Sequence, residues 1–260
     1  MSGYTNLQVE IAGHTAVVTL ANPPANTFTR DGLVALAKLV HDLNENKEIV
    51  SLVFTGSGEK FFSAGADLKQ FANGDKAMAR DMARRFGEAF EALSRFRGVS
   101  IAAINGYAMG GGLECAMACD IRIAEEQAQM ALPEAAVGLL PCAGGTQNLP
   151  WLVGEGWAKR MVLLGERIDA ATAARIGLVE DVVPKGQGKA RTLEPARLAD
   201  RQSPVSIAAC KRLIQGARQQ PPTQVLPQER EAFIDLFDTQ DQKEGVNAFL
   251  EKRAPQWSNA

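Results

Sequence analysis

Histidine and cysteine are scarce in this chain: only His14 and His41, and Cys115, Cys119, Cys142 and Cys210. No two cysteines form a C-x-x-C pair, so a zinc site is not expected. Cys115 and Cys119 fall on one face of an expected helix and read as buried free thiols, which pack as small hydrophobes. Excess charge is also missing. With 28 basic and 30 acidic residues the net charge is −2, which leaves no basic footprint for nucleic acid. Long apolar runs are absent too. The most apolar region, Val99 to Cys119, is interrupted by Asn105, several glycines and Glu114, which argues against a membrane span. Met1 to Glu10 has no apolar stretch of the signal-peptide kind. A soluble cytoplasmic protein without a membrane partner is expected. The G-x-G-x-x-G spacing of dinucleotide sites does not occur. Gly56-Ser57-Gly58-Glu59-Lys60 lacks the G-K-[ST] ending of a phosphate loop.

What is present suffices for a large core: 260 residues, 46% of them hydrophobic, enough for one large domain or a domain with an appendage. The organising stretch is Asn105 to Asp120, N-G-Y-A-M-G-G-G-L-E-C-A-M-A-C-D, which follows the apolar run Val99 to Ile104. That run reads as a buried strand, Asn105-Gly106 as a turn, and the segment after Gly110-Gly111-Gly112 as a helix. Glycine lets backbone N–H groups approach a ligand closely. A helix start leaves N–H groups unpartnered, with partial positive charge. Such a corner suits an oxygen that becomes negative during a reaction. Glu114, in the first helical turn, suggests acid–base chemistry, although a carboxylate there also simply complements the helix dipole.

Leu7 to Ile11 and Thr15 to Leu20 read as a hairpin about Gly13-His14, with His14 an exposed turn residue. Arg30 to Asn46 has apolar residues at helical spacing, as does Lys76 to Phe96. Ser51 to Thr55 reads as a short buried strand. The small residues of Ala64-Gly65-Ala66-Asp67 again allow close backbone approach, beyond a strand end where open α/β sheets bind ligands. Ile121 to Ala124 and Gln129 to Leu132 are further strands. Glu134 follows in apolar company, where burial would raise its pKa as suits a proton donor; a turn-capping Glu is the alternative. A glycine-containing loop, Val137 to Thr146, leads into Gln147 to Val153. Gly156 to Leu164 and Asp169 to Ile176 read as helices, and Leu178 to Val183 as the last strand. Lys185 to Lys189 forms a polar hinge. Helices are expected at Arg191 to Asp200, Val205 to Gln219, Thr223 to Phe237 and Gln240 to Lys252. There is no internal sequence repeat. The alternation predicts an α/β core, residues 1–190, followed by a helical region, 191–260.

Together, Asn105-Gly106-Tyr107-Ala108, Gly110 to Glu114, Ala64 to Lys69, Pro133-Glu134 and Ala143-Gly144-Gly145-Thr146-Gln147 resemble the crotonase superfamily, and within it the enoyl-CoA hydratases. The resemblance runs from Asn22-Pro23-Pro24 to Phe249-Leu250-Glu251-Lys252-Arg253. It implies an α/β spiral of ββα turns with a C-terminal helical region that packs in trimers, which commonly pair into hexamers. It implies Glu114 and Glu134 as catalytic residues, with a water between them that adds to a trans-2-enoyl thioester. Isomerases of the superfamily often keep only the carboxyl matching Glu134, so the presence of both favours hydration over isomerisation. The backbone N–H groups of Ala66 and Gly111 would form the oxyanion hole, and that of Cys142 would help to hold the water. Ala64, Ala66, Asp67, Leu68 and Lys69 would line the coenzyme A site, and Ala25 would approach the adenine end. Phe249 and Lys252 would reach the coenzyme from a neighbouring subunit. No metal or redox cofactor is expected, because coenzyme A is part of the acyl-CoA substrate. Cys142 and Asn148 depart from the family pattern, which has glycine and arginine there in many members.

Overall fold

The computed structural model describes residues 3–218 and 220–260. Met1 and Ser2 of the N-terminal stretch, and the expected helix end at Gln219, lie outside the described residues. β1 (Leu7–Ala12) and β2 (Thr15–Leu20) form the expected antiparallel hairpin, turned through Gly13 at φ +60°. α1 (Arg30–Glu45) starts where the Thr29 hydroxyl accepts from the Gly32 N–H, an ordinary N-cap. It buries Leu33, Leu36, Leu39, Val40 and Leu43.

Three turns of one pattern follow. β3 (Ser51–Gly56), β4 (Phe61–Ser63) and α2 (Lys76–Ser94) form the first. β5 (Val99–Ile104), β6 (Tyr107–Met109) and α3 (Gly111–Ala118) form the second. β7 (Ile121–Glu125), β8 (Gln129–Ala131) and α4 (Gly145–Leu163) form the third. The chain ends with β9 (Ile168–Asp169), α5 (Ala170–Arg175), β10 (Asp181–Val183), α6 (Gly188–Ala199), α7 (Pro204–Gly216), α8 (Pro222–Asp235) and α9 (Gln240–Leu250).

The first strand of each turn enters a six-stranded sheet, β1-β2-β3-β5-β7-β10, and the second enters a four-stranded sheet, β4-β6-β8-β9. This is the ββα spiral of the crotonase fold. The strands from β2 to β10 pair in parallel in the large sheet. Burial on both faces explains their continuous apolar runs. One face meets the main core, in which Phe28, Phe86 and Phe90 pack edge to face with centroids 5.3–5.8 Å apart. The other face carries Val17, Val53, Ile101 and Ile123 against Ala196 and Leu193 of α6.

The sequence pattern misses β4, β6 and β9, which are too short to show a period. The separate expectations at Gln147 to Val153 and Gly156 to Leu164 join into α4, with a break at Gly154, φ +79° and ψ 159°. The expected last strand shortens to β10. α6 starts within the polar hinge, at Gly188. Among the described residues, no helix is long and apolar enough to cross a membrane.

Candidate active site

Three neighbouring strands of the small sheet end at one place. In β4 and β6, Ser63 pairs with Ala108; in β6 and β8, Met109 pairs with Ala131. The chain leaving β4 supplies Ala64 to Ala66, the chain leaving β6 supplies Gly110 to Glu114, and the chain leaving β8 supplies Pro133-Glu134. The Gly110 N–H donates to the Ala131 carbonyl at 2.9 Å, which locks the last two segments side by side. A cavity of about 790 Å³ opens here, lined by Ala64, Ala66, Gly111, Glu114, Glu134 and Cys142 among others. The position agrees with the tendency of parallel sheets to bind ligands beyond strand carboxyl ends.

The 64–66 segment is held by side chains on its inner side. The Ser63 hydroxyl donates to the Asn26 carbonyl at 2.7 Å and accepts from the Gly65 N–H at 3.1 Å. The Asn26 side chain in turn bonds the Ser57 and Phe61 carbonyls, each at 2.9 Å. The Ala64 N–H donates to the Ala25 carbonyl at 3.0 Å, and the Phe28 N–H to the Gly65 carbonyl at 2.8 Å. Gly65 has φ +83°, and a Cβ there would lie 2.7 Å from the Met109 carbonyl and 2.9 Å from the Gly111 nitrogen. Only glycine permits that approach. It sets Ala66 next to the first turn of α3. Among the described residues, neither the Ala66 nor the Gly111 N–H is spent on a partner within the chain.

Glu114 is buried in α3. Its Oε1 accepts from the N–H groups of Ala143 and Gly145, both at 2.8 Å. Burial raises its pKa above the ordinary carboxyl range, and these two donors offset only part of that rise. Gly145 has no room for a side chain: a Cβ would sit 2.7 Å from the Pro141 Cβ and 2.9 Å from Glu114 Oε1. Glu134 opens a short 3-10 turn, Glu134–Val137. Its Oε2 is buried without a hydrogen-bond partner among the described residues. Burial first, and then the Glu114 charge, push its pKa up to about 7. Burial raises both carboxyls, but they differ in support: two N–H donors favour the charged form of Glu114, whereas Glu134, with Oε2 unpartnered among the described residues, is better equipped to keep a proton.

Cys142 also opens on the cavity. Enclosure by the cavity walls, and then the Glu114 and Glu134 carboxylates, push its thiol up to about 11. The sequence reading did not identify Ala143 and Gly145 as holders of Glu114. The tight Ala143-Gly144-Gly145 run was the only signal available. Leu68 lines the cavity, but Asp67 and Lys69 do not. Asp67 instead caps the short 3-10 helix Leu68–Phe71, its Oδ1 accepting from the Lys69 N–H at 3.1 Å. Ala25 reaches the site through its bond to Ala64 and does not line the wall. Phe249, on α9, and Lys252, just beyond it, are exposed and stand apart from the cavity within this chain.

Residues 10–260 match the family model described as enoyl-CoA hydratase/isomerase. The short-chain-enoyl-CoA hydratase of Clostridium acetobutylicum is 38% identical over 253 residues, covering 95% of both chains. The solved structure of Pseudomonas aeruginosa DspI superposes with TM-score 0.96 at 68% identity, covering 99% of this chain and 98% of that one. The enoyl-CoA hydratase crystal structure from Bacillus anthracis gives TM-score 0.94 at 35% identity, covering 98% of this chain and 100% of that one.

Proposed function

The chain belongs to the enoyl-CoA hydratase/isomerase family, and from its paired glutamates we propose that it adds water reversibly to a trans-2-enoyl-CoA, giving a 3-hydroxyacyl-CoA. The observation that carries this reading is the unequal support of the two carboxyls beside one cavity. The thioester carbonyl lies between the Ala66 and Gly111 N–H groups. Glu114, its charge held on Oε1 by two N–H donors, takes a proton from water with its other oxygen. The water oxygen bonds to the β-carbon, and the electron pair of the double bond moves toward the thioester oxygen as an enolate. The two N–H donors stabilise that oxygen; loss of one such donor typically costs about 3–4 kcal/mol of barrier. Glu134 then delivers its proton to the α-carbon. Exchange with solvent returns both carboxyls to their starting states. The Cys142 N–H assists in holding the water. Every step is assigned to these groups, without a metal or redox cofactor.

The coenzyme portion runs past Ala64 to Lys69, with its adenine end toward Ala25, and Phe249 and Lys252 of a neighbouring subunit complete that site. The working assembly is a trimer or a pair of trimers, in the cytoplasm, acting in fatty acyl breakdown. The helical region, 191–260, carries the assembly. Exposed Phe233 and Phe237, which pack edge to face, and exposed Phe249 and Leu250 of α9 support this, since exposed apolar patches mark association sites. The test is loss of the enoyl thioester absorbance with crotonyl-CoA and longer analogues, in the wild type and in Glu114→Gln and Glu134→Gln. Each variant is expected to lose at least 100-fold in kcat. Wild-type turnover by a folded Glu134→Gln would refute the assignment. Size measurement in solution tests the assembly, and an active monomer would contradict it.

A further inference from the structure

The cavity is much larger than a short acyl group requires, and its far wall is wholly apolar. Ala79, Ala83 and Phe86 line it from one stripe of α2, at i, i+4 and i+7. Phe86 packs against the start of α3, since a Cβ on Gly111 would lie 2.9 Å from its Cε1. It therefore marks where the expected carbonyl site passes into the apolar space. The two alanines beyond it leave that space open. The turn after Glu134 adds Val137, Leu139 and Leu140. No Lys, Arg or His lines the cavity among the described residues, and its only charged side chains are the two glutamates.

We infer that the preferred substrate is a straight, unfunctionalised 2-enoyl thioester well beyond four carbons, about eight carbons or more, by the order of magnitude set by pocket volume. The inference rests on the hydratase reading and specifies its substrate class. Taking a carbon group as about the size of a water molecule, about 30 Å³, a four-carbon chain fills about 120 Å³ of a cavity of about 790 Å³. A ten-carbon chain fills about 300 Å³ and still leaves room for the thioester and the adjoining coenzyme arm. A terminal carboxylate finds no cation on this wall, so its desolvation goes uncompensated. Each buried methylene contributes about fourfold in binding.

The test compares kcat/KM for trans-2-enoyl-CoAs of four, six, eight, ten and sixteen carbons, together with a six-carbon analogue ending in a carboxylate. The eight- and ten-carbon substrates are expected to exceed crotonyl-CoA at least tenfold. The carboxylated analogue is expected to fall at least tenfold below its methyl-ended counterpart. A profile that is flat or falls from four carbons overturns the inference, as does equal use of the carboxylated analogue. Enlarging the wall with Ala83→Phe, or with Ala79→Leu near the start of α2, is expected to lower the ten-carbon to four-carbon ratio at least fivefold. An unchanged ratio in folded variants would place the acyl chain elsewhere. If no enoyl-CoA is hydrated, the hydratase reading fails by itself. Calorimetry with saturated acyl-CoAs of four to ten carbons then decides the pocket: affinity rising with length upholds it, and constant affinity overturns it.

Discussion

Glu134 should make the protein less stable at the pH where it works, and replacing it should reveal by how much. In the fold its pKa stands near 7, against an ordinary 4.5, first because of burial and then because of the Glu114 charge. Below pH 4.5 the folded and unfolded chains both carry the proton. Between 4.5 and 7 the unfolded chain loses it while the folded chain keeps it, so the native state becomes progressively less favoured. Above 7 the penalty is complete. Fully expressed, that displacement corresponds to about 3 kcal/mol. Because the carboxyl partly meets the cavity, screening reduces this to about 1–2 kcal/mol. Glu134→Gln keeps the shape and removes the charge. It should stabilise the protein by that amount at pH 8, roughly 2–4 °C in Tm for a chain of this size, and by almost nothing at pH 4.5. Thermal and urea unfolding at both pH values, at fixed protein concentration, measure the difference. Equal shifts at the two pH values, or a loss of stability at pH 8, would show that the carboxyl is not held protonated by burial.

Gly145→Ala should push Glu114 off its two N–H donors, because the new Cβ would lie 2.9 Å from Oε1. A fall of at least tenfold in kcat is expected with the fold retained, and unchanged turnover would remove the clamp from the mechanism. Gly65→Ala combines a φ of +83° with a Cβ 2.7 Å from the Met109 carbonyl. It should cost about 1–3 kcal/mol in urea unfolding and about 100-fold in kcat; a neutral effect on both would contradict the tight approach of the 64–66 segment to α3. Lys211 ties α7 to the core, its Nζ donating to the Phe96 and Gly98 carbonyls at 2.7 and 3.2 Å and to Asp120 Oδ2 at 2.7 Å. Lys211→Met should lower unfolding stability by about 1–3 kcal/mol, and a change below 0.5 kcal/mol, about the scatter of ordinary surface substitutions, would show the tie to be unimportant.

Some elements can be read directly because one stretch of sequence contains the whole signal. The buried stripe of α1, from Leu33 to Leu43, and the fully buried β3 are of this kind. So is the glycine corner before Glu114, where strand, turn and helix start are contiguous. The small sheet is different. Its strands have two or three residues each, too short for a period to develop, and of the four β8 alone is anticipated, from the run Gln129 to Leu132. Their existence depends on neighbours that the large sheet places beside them. The three ββα turns also repeat without any repeat of sequence, because each set of strands faces different partners: α6 covers part of one sheet, and the Phe28, Phe86 and Phe90 cluster fills the space below another part.

That distinction explains why the two glutamates could be nominated separately but their partnership could not be derived from local pattern. Glu114 and Glu134 belong to successive turns of the spiral. What joins them is the β6–β8 pairing, Met109 with Ala131, together with the Gly110 to Ala131 hydrogen bond. The same pairing principle, one strand over, brings Ser63 beside Ala108 and so delivers the 64–66 segment to the same corner. Three chain segments thus meet because three short strands lie in parallel order. The different protonation tendencies of the glutamates arise at the next level. They come from the Ala143 and Gly145 N–H groups, at and just before the start of α4, which reach Glu114 and leave Glu134 Oε2 without a partner among the described residues. The chemistry of the pair therefore depends on a fourth segment whose Ala143 and Gly145 N–H groups hydrogen-bond Glu114.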